Sequence, residues 1–439
     1  MSIKKLVCAI LSAALICFSL SGCDIFSTEA DSLLSAPKLT GEMQPVQVAL
    51  DEYITENYSL KFPTGGETKT AITLVDLNED GIKEAVAFYS TSSDNTVTMH
   101  LAVIKNENGK WGVVAHEKVV AGGVDRVYFK DMNNNGQKEI IVGWNVYGDI
   151  DKKVSVYNYS GNALISLIDE PYTTFILCDL DNNFTDDLLT FNLDFTVSSA
   201  VAKYFSINSQ GVFQHGSCQL DGNVTSFEEP VISTLISGDG CVYLDCIKGS
   251  GMITEVLYFK ENVLICPLYD TALSENVVSY RPAIVPCRDY DNDGIIEIPV
   301  MSTLPAGENS SSSAYLTVWN SFDGEKLVAE NYALMNYSDG YCVNLSEELA
   351  KNATTIRNLE DRERIVYEYD YETNTVGNEI FRVRVVSRGA YDSGIYKDIY
   401  TVLSIGEHQV WLASVKEKAA EYGITDKNII DMFELITEG

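Results

Sequence analysis

Residues 289–297 read DYDNDGIIE, which places the carboxylates of Asp289, Asp291, Asp293 and Glu297 within nine positions, with a glycine at the sixth. In such a loop the side-chain oxygens of positions 1, 3 and 5 can converge on one point. The glycine permits a sharp turn, the seventh carbonyl adds an oxygen, and the ninth carboxylate closes the shell. Hard oxygen donors without Cys or His suit Ca²⁺ rather than a transition metal. The competing reading is a metal-free turn, because Asp, Asn and Gly favour turns in any case. Four mutually repelling charges argue against a bare turn here. Three further stretches share the pattern: DLNEDGIKE with Asp76, Asn78, Asp80 and Glu84, DMNNNGQKE with Asp131, Asn133, Asn135 and Glu139, and DLDNNFTDD with Asp179, Asp181, Asn183 and Asp187. The first of these should bind nearly as well as 289–297. The second carries only two charges and should bind more weakly. The third has Phe184 where the others have glycine, which leaves its turn open.

An EF-hand would need a Glu at the twelfth position and helices on both sides. The flanks ITLV and EAVAFY read instead as strands. The loops begin 55, 48 and 110 residues apart, and the double interval predicts a degenerate unit near residue 234, where VISTLISGDGCVYLDCI stands. About 30–35 residues into each unit comes an apolar strand, a turn and a second apolar strand, with Gly109, Gly161, Gly211 and Gly324 in the turns; EVLYFKENVLICPL takes that place in the degenerate unit. Five units of about 50 residues, each with roughly four short strands, predict a mainly β chain built as a β-propeller. The Asp-x-Asp-x-Asp-Gly-x-x-Asp/Glu loop followed by strand, turn and strand resembles the FG-GAP/VCBS propeller repeat over roughly residues 65–330. That resemblance implies calcium at these loops and a cell-surface setting.

After about residue 335 the repeat stops. Alternating strands are expected at 365–371, 381–387 and 400–405, then a helix from Val415 to Tyr422 ending at Gly423, and a last helix capped by Thr425. The expected organisation is therefore a signal peptide at 1–22, a tether at 23–44, the propeller at 45–334 and a small α+β domain at 335–439.

The first two segments follow from the N-terminus. Lys4 and Lys5 precede an uncharged apolar run from Leu6 to Leu20, and Leu20-Ser21-Gly22-Cys23 follows. That ending resembles the bacterial lipoprotein lipobox, which implies lipidation of Cys23 and a chain held on the extracytoplasmic side of the bacterial cell membrane. Beyond Cys23 lie seven cysteines, an odd number that cannot all pair; most are expected as small buried residues, with a Cys241–Cys246 bridge across a turn left open.

Catalytic spacing motifs for a nucleophile elbow, a zinc protease or a phosphate loop do not occur. His100, His116, His215 and His408 are scattered among apolar residues and read as strand residues rather than general bases. A formal charge of −32 argues against nucleic acid as a partner. The expectation is thus a calcium-binding, membrane-anchored scaffold for protein binding or adhesion, not an enzyme. A glycan-binding propeller drawing on the 25 tyrosines and four tryptophans is the alternative, and a calcium-dependent polysaccharide lyase the next. The polar insertion LPAGENSSSSAY at 304–315 is either a functional loop or a plain excursion.

Overall fold

The computed structural model describes residues 41–93, 96–147, 152–305 and 314–436. Cys23, the signal segment, most of the tether and most of the 304–315 insertion lie outside the described residues. The chain is mainly β. The described strands form six sheets distributed over two compact units, 1–171 and 172–439; every pairing is antiparallel except that of Gly65–Gly66 with Ala121–Lys130, which is parallel.

In the first unit, strands Ile72–Val75, Glu84–Ser93, Thr96–Glu107 and Lys110–Val119 run as an up-and-down meander, and Tyr58–Leu60 pairs with the far end of the second strand. A second meander joins Ala121–Lys130, Glu139–Val146, Lys152–Ser160 and Ala163–Pro171. These are sheets of the propeller-blade kind, apolar on both faces. Along Glu84–Ser93 the odd and even residues enter different cores, as the two-residue period requires. Val86 and Phe88 pack with Leu101 of their own sheet and with Val142 and Trp144 of the second sheet. Ala85, Ala87 and Tyr89 pack against Val46, Ala49 and Leu50 of helix α1, Gln44–Tyr53. That helix, with Pro45 in its first turn, covers a sheet face where sequence reading placed the end of a tether and the start of a strand repeat.

In the second unit, Thr174–Cys178, Asp187–Asp194, Ser199–Asn208 and Gly211–Leu220 form the third meander. Val231–Thr234, Gly240–Lys248, Gly251–Lys260 and Val263–Ile265 form the fourth, at the place predicted for the degenerate unit. Its first turn, Leu235–Asp239, closes by backbone hydrogen bonds, Leu235 N–H to the Asp239 carbonyl at 2.9 Å and Gly238 N–H to the Leu235 carbonyl at 2.8 Å. Cys241 and Cys246 lie on one strand, five residues apart and on opposite faces, in two different cores. Such positions are roughly 16 Å apart on extended backbone, so no disulfide joins them.

The fifth sheet is Ile298–Thr303, Tyr315–Phe322, Leu327–Asn336 and Tyr341–Leu345, extended by the C-terminal Phe433–Leu435. The strand expected before its acidic loop is reduced to a single bridge between Arg288 and Glu297. The sixth sheet is Ala353–Asn358, Glu363–Asp370, Thr375–Ser387, Gln409–Val415 and Thr401–Ile405.

The expected division between 334 and 335 falls inside the strand Leu327–Asn336. That strand pairs with Tyr341–Leu345, and one core joins Leu334, Tyr341 and Val343 to Val366, Phe381 and Trp411 of the sixth sheet. The two closing helices are short 3₁₀ turns, Glu417–Tyr422 and Asn428–Ile430. Gly423, at φ +70°, ends the first as expected, and Thr425 Oγ1 accepts from Asn428 N–H at 3.3 Å. The second turn stays short because the chain immediately after it is recruited as the edge strand of the fifth sheet.

Candidate metal centres in the acidic loops

The four acidic loops share one backbone course, with left-handed residues at the fourth and sixth positions: Glu79 and Gly81, Asn134 and Gly136, Asn182 and Phe184, Asn292 and Gly294. Phe184 adopts φ +67° with its ring almost wholly exposed, so the turn survives the loss of glycine. A non-glycine residue in this region costs about 1 kcal/mol or more, which the surrounding hydrogen bonds offset.

The first Asp of each loop is occupied with closing the turn. Asp289 accepts from Asp293 N–H at 3.1 Å and Gly294 N–H at 3.0 Å, and Asp179 from Asn183 N–H at 3.0 Å and Phe184 N–H at 2.8 Å. Asp131 accepts from Asn135 N–H at 3.1 Å and Gly136 N–H at 2.8 Å, and Asp76 from Gly81 N–H at 3.0 Å. The ninth residue is wholly buried in every loop. Where it is Glu, one oxygen accepts from the N–H of the second position: Leu77 to Glu84 at 3.1 Å, Met132 to Glu139 at 2.9 Å, Tyr290 to Glu297 at 2.6 Å. Asp187 is one methylene too short for this. The Tyr204 hydroxyl bridges the gap, accepting from Leu180 N–H at 3.3 Å and donating to Asp187.

What faces the second oxygen of that buried carboxylate differs from loop to loop. At 289–297 the answer is more negative charge. Oxygens of Asp291, Asp293, Glu297 and Glu330 lie within 4.8 Å of one another, and Glu297 Oε1 is buried without a hydrogen-bond partner. Burial pushes the Glu297 carboxyl up to about 7, with Asp291, Asp293 and Glu330 adding to the effect. Glu330 comes from the strand Leu327–Asn336, whose next residue, Asn331, donates to Asp291 at 3.0 Å. Glu330 lies outside the loop motif, and its only signal in the sequence is a Glu-Asn pair interrupting an apolar strand.

At 179–187, oxygens of Asp179, Asp181 and Asp187 lie within 4.8 Å of one another, Asp187 Oδ1 has no partner, and burial lifts the Asp187 carboxyl to about 7. Here the first Asp does join the cluster. At 76–84 the neighbour is a cation, since Lys105 Nζ stands 3.9 Å from both Asp80 and Glu84. At 131–139 it is a pair of amides: Asn133 and Asn158 both donate to Glu139 Oε1, at 2.8 and 3.1 Å. Asn135 faces backbone, accepting from Gln137 N–H at 2.7 Å, and Asn183 and Asp80 make the same bond to Thr185 and Ile82 at 2.7 Å.

Two of the four predicted groups therefore have the composition of a cation shell, an all-oxygen donor set around an orphaned, buried carboxylate oxygen: Asp291, Asp293, Glu297 and Glu330, and Asp179, Asp181 and Asp187. At the other two the chain's own groups face that oxygen: the Lys105 ammonium at 3.9 Å from Glu84 Oε1, which makes no hydrogen bond, and the Asn133 and Asn158 amides bonded to Glu139.

The histidines are less scattered than the sequence suggests. His100 Nδ1 and His116 Nε2 are 2.9 Å apart on neighbouring strands, His100 Nε2 is 2.8 Å from Thr91 Oγ1, and the Tyr89 hydroxyl is 3.1 Å from His116. Tyr89 stacks on His100 with ring centroids 4.5 Å apart. Burial lowers the His100 pKa to about 4 and lowers that of His116 as well. The fourth sheet holds a second polar network, in which the buried Arg281 donates to Asp245 at 2.8 Å and Asn276 and Ser279 bond Thr254. It pins the irregular chain between the fourth and fifth sheets.

No family model matches the chain, and no curated protein matches it. Solved structures resemble it weakly. A periplasmic gluconolactonase of Pseudomonas aeruginosa is 9% identical, with 71% of this chain and 85% of that chain covered and a TM-score of 0.26. A rhamnogalacturonan lyase of Bacillus licheniformis is 10% identical, covering 69% and 82%, with a TM-score of 0.29. The Dos1 propeller is 9% identical, covering 82% and 81%, with a TM-score of 0.27. At these scores the likenesses carry no argument about activity; the blade-like meanders rest on their own strand pairing.

Proposed function

We propose that the chain is an envelope lipoprotein, anchored through Cys23, whose sheets are held by Ca²⁺ and present a surface for protein binding or adhesion. The observation that carries the cation is Glu297 Oε1, buried and unpartnered among Asp291, Asp293 and Glu330. A carboxylate in that setting is costly to ionise unless a cation shares it. Asp291, Asp293, Glu297 and Glu330 would hold one ion and Asp179, Asp181 and Asp187 a second, each tying an acidic loop to its sheet. The resemblance of the loops to FG-GAP/VCBS repeats supports calcium as the ion and the cell surface as the setting. Scaffolding is favoured over lyase chemistry because Glu297, the acid of this group with a pKa near 7, is wholly buried behind the other carboxylates, where it does not meet the proton of a bound sugar.

Calorimetric titration of the full chain with CaCl₂ tests the cation, and fatty-acid labelling of wild type against Cys23→Ser tests the anchor. Saturable calcium heat that is reduced in Asp291→Ala and label that disappears in Cys23→Ser are the expected results. Absence of calcium heat at millimolar concentration, together with a melting temperature indifferent to chelator, would reduce the loops to acidic turns. Unlabelled wild-type protein would remove the anchor.

A further inference from the structure

The sixth sheet carries an open cleft of about 590 Å³ that the acidic loops do not touch. It lies where the hairpin Glu363–Asp370 to Thr375–Ser387 meets the turn Glu417–Tyr422. The hairpin is irregular at that end, with register shifts between Val366 and Tyr367 and again between Tyr367 and Tyr369. Bulges re-aim side chains and recur beside binding sites. Three tyrosines line the cleft. Tyr371 is half exposed at the rim and meets the buried Tyr369 edge to face, ring centroids 4.9 Å apart. Tyr422 is half-buried, and its hydroxyl donates to Glu368 at 3.3 Å.

Glu368 is fixed from two sides. Lys418 Nζ holds it at 2.9 Å, and Gly377 leaves the cross-strand space it fills; a Cβ at 377 would come within 3.0 Å of the Glu368 Cβ. The carboxylates of Glu368, Asp370 and Glu372 outnumber the one lysine on the lining, Lys351, which is itself paired with Glu347 at 2.5 Å. The lining is thus rich in acceptors and poor in free cationic donors, with flat aromatic faces among them.

The geometry points to this cleft as a binding site for a neutral, hydroxyl-rich saccharide. Its C–H face stacks on Tyr371, which Tyr369 holds edge to face from below, and its hydroxyls donate to Glu368 and Glu372. The size falls in the range of pockets that enclose small ligands. Phenol rings offer an apolar face beside a polar tip, which matches a sugar ring edged with hydroxyls, and ionised carboxylates are acceptors only. A sugar acid or phosphate is disfavoured, since its charge would meet three carboxylates. The site gives the proposed scaffold a ligand class of its own and stands independently of the cation groups.

The test titrates the full chain with maltotriose, cellotriose, trigalacturonate and choline, read by saturation-transfer NMR and calorimetry with chelator present. At least one neutral trisaccharide should bind, Tyr371→Ala should weaken it about tenfold, equivalent to about 1.4 kcal/mol, and Tyr371→Phe should retain it. Tyr371 is exposed, so neither variant should move the melting temperature. Binding that persists in Asp291→Ala keeps this result separate from the fate of the calcium reading. Four outcomes would overturn the site: no neutral saccharide bound at about 10 mM, roughly the weakest affinity worth assigning; trigalacturonate bound as tightly; choline alone bound; or saccharide binding unchanged in Tyr371→Ala.

Discussion

Loops 76–84 and 289–297 have nearly the same sequence, the same left-handed residues and the same buried ninth glutamate, yet the chain completes them in opposite ways. Above Glu84 it places the ammonium of Lys105, and above Glu297 the carboxylate of Glu330. The first loop carries a built-in counter-ion, and the second collects charge with no cation among the described residues paired to it. A loop motif therefore specifies a turn. Whether that turn holds a cation is decided by a residue on a later strand.

The largest expected effect follows directly. Glu297→Gln or Asp291→Ala should remove the share of the second unit's calcium stabilisation that belongs to 289–297 and leave the share of Asp179, Asp181 and Asp187. At ten times a dissociation constant of 10⁻⁴–10⁻³ M, one site contributes about 1.4 kcal/mol. That corresponds to roughly 3–6 °C in melting temperature for a unit of this size. Asp76→Ala should leave the calcium response nearly intact. An equal loss in Asp76→Ala, measured by calorimetry and differential scanning, would break the comparison.

A second test converts one loop toward the other. In Lys105→Met the cation is gone but Asp80 and Glu84 remain, so the first unit should melt lower in chelator and gain a calcium response it lacks in wild type. The expected gain is smaller, about 1 kcal/mol or less, because Asn78 contributes a neutral oxygen and no counterpart of Glu330 is added. A variant that gains no calcium heat would show that the loop needs a fourth carboxylate.

Acidity sharpens the contrast between the units. Glu297 and Asp187 have folded-state pKa values near 7, above the ordinary carboxylate value. In chelator the folded state therefore binds more protons than the unfolded chain between about pH 4 and 7. That stabilising contribution is full below about pH 4 and lost as pH rises through 7. Calcium, which competes with those protons, should restore the loss, so its effect on melting should grow from pH 5 to pH 7.5. His100 acts in the other direction. Its folded pKa of about 4 lies below the ordinary value, so its contribution is present above about pH 6.5 and lost as pH falls toward 4. Proton NMR of the His100 ring across that range, together with melting curves in chelator, checks both signs.

Much of this was legible in the sequence because it is local. The nine-residue loops, the turn glycines and the degenerate unit near 234 all sit where their spacing put them, since strand, turn and strand are set by neighbours in the chain. The partners that decide each loop were not legible. Lys105, Asn158, Tyr204 and Glu330 lie on later strands of their sheets, between 17 and 33 residues beyond the ends of the loops they meet, and nothing in the motif marks them. The first Asp is expected as a ligand, but in all four loops it accepts backbone N–H groups of the turn, and Asp179 alone of the four also joins a cluster of acids. The apolar spacing of Val46, Ala49 and Leu50 is present in the sequence, yet it falls at the start of the segment expected as propeller strands, so the helix there is not anticipated. The division at 335 marks where the repeat motif ends, and the packing there continues from Leu334 and Tyr341 into the sixth sheet.

The smallest effect isolates Glu330 itself. In Glu330→Gln one repelling charge leaves the Glu297 neighbourhood, so without calcium the variant should melt slightly higher than wild type, by no more than a degree or two. If Glu330 is a ligand, calcium should bind several-fold more weakly in the same variant, because an amide oxygen is a poorer donor than a carboxylate. The two changes have opposite signs. A variant that is more stable without calcium but binds it unchanged would leave Glu330 as mere repulsion, with Asp291, Asp293 and Glu297 as the whole shell. A variant weakened in calcium binding would confirm that the strand after the turn completes the site, which is the point on which the two loops differ.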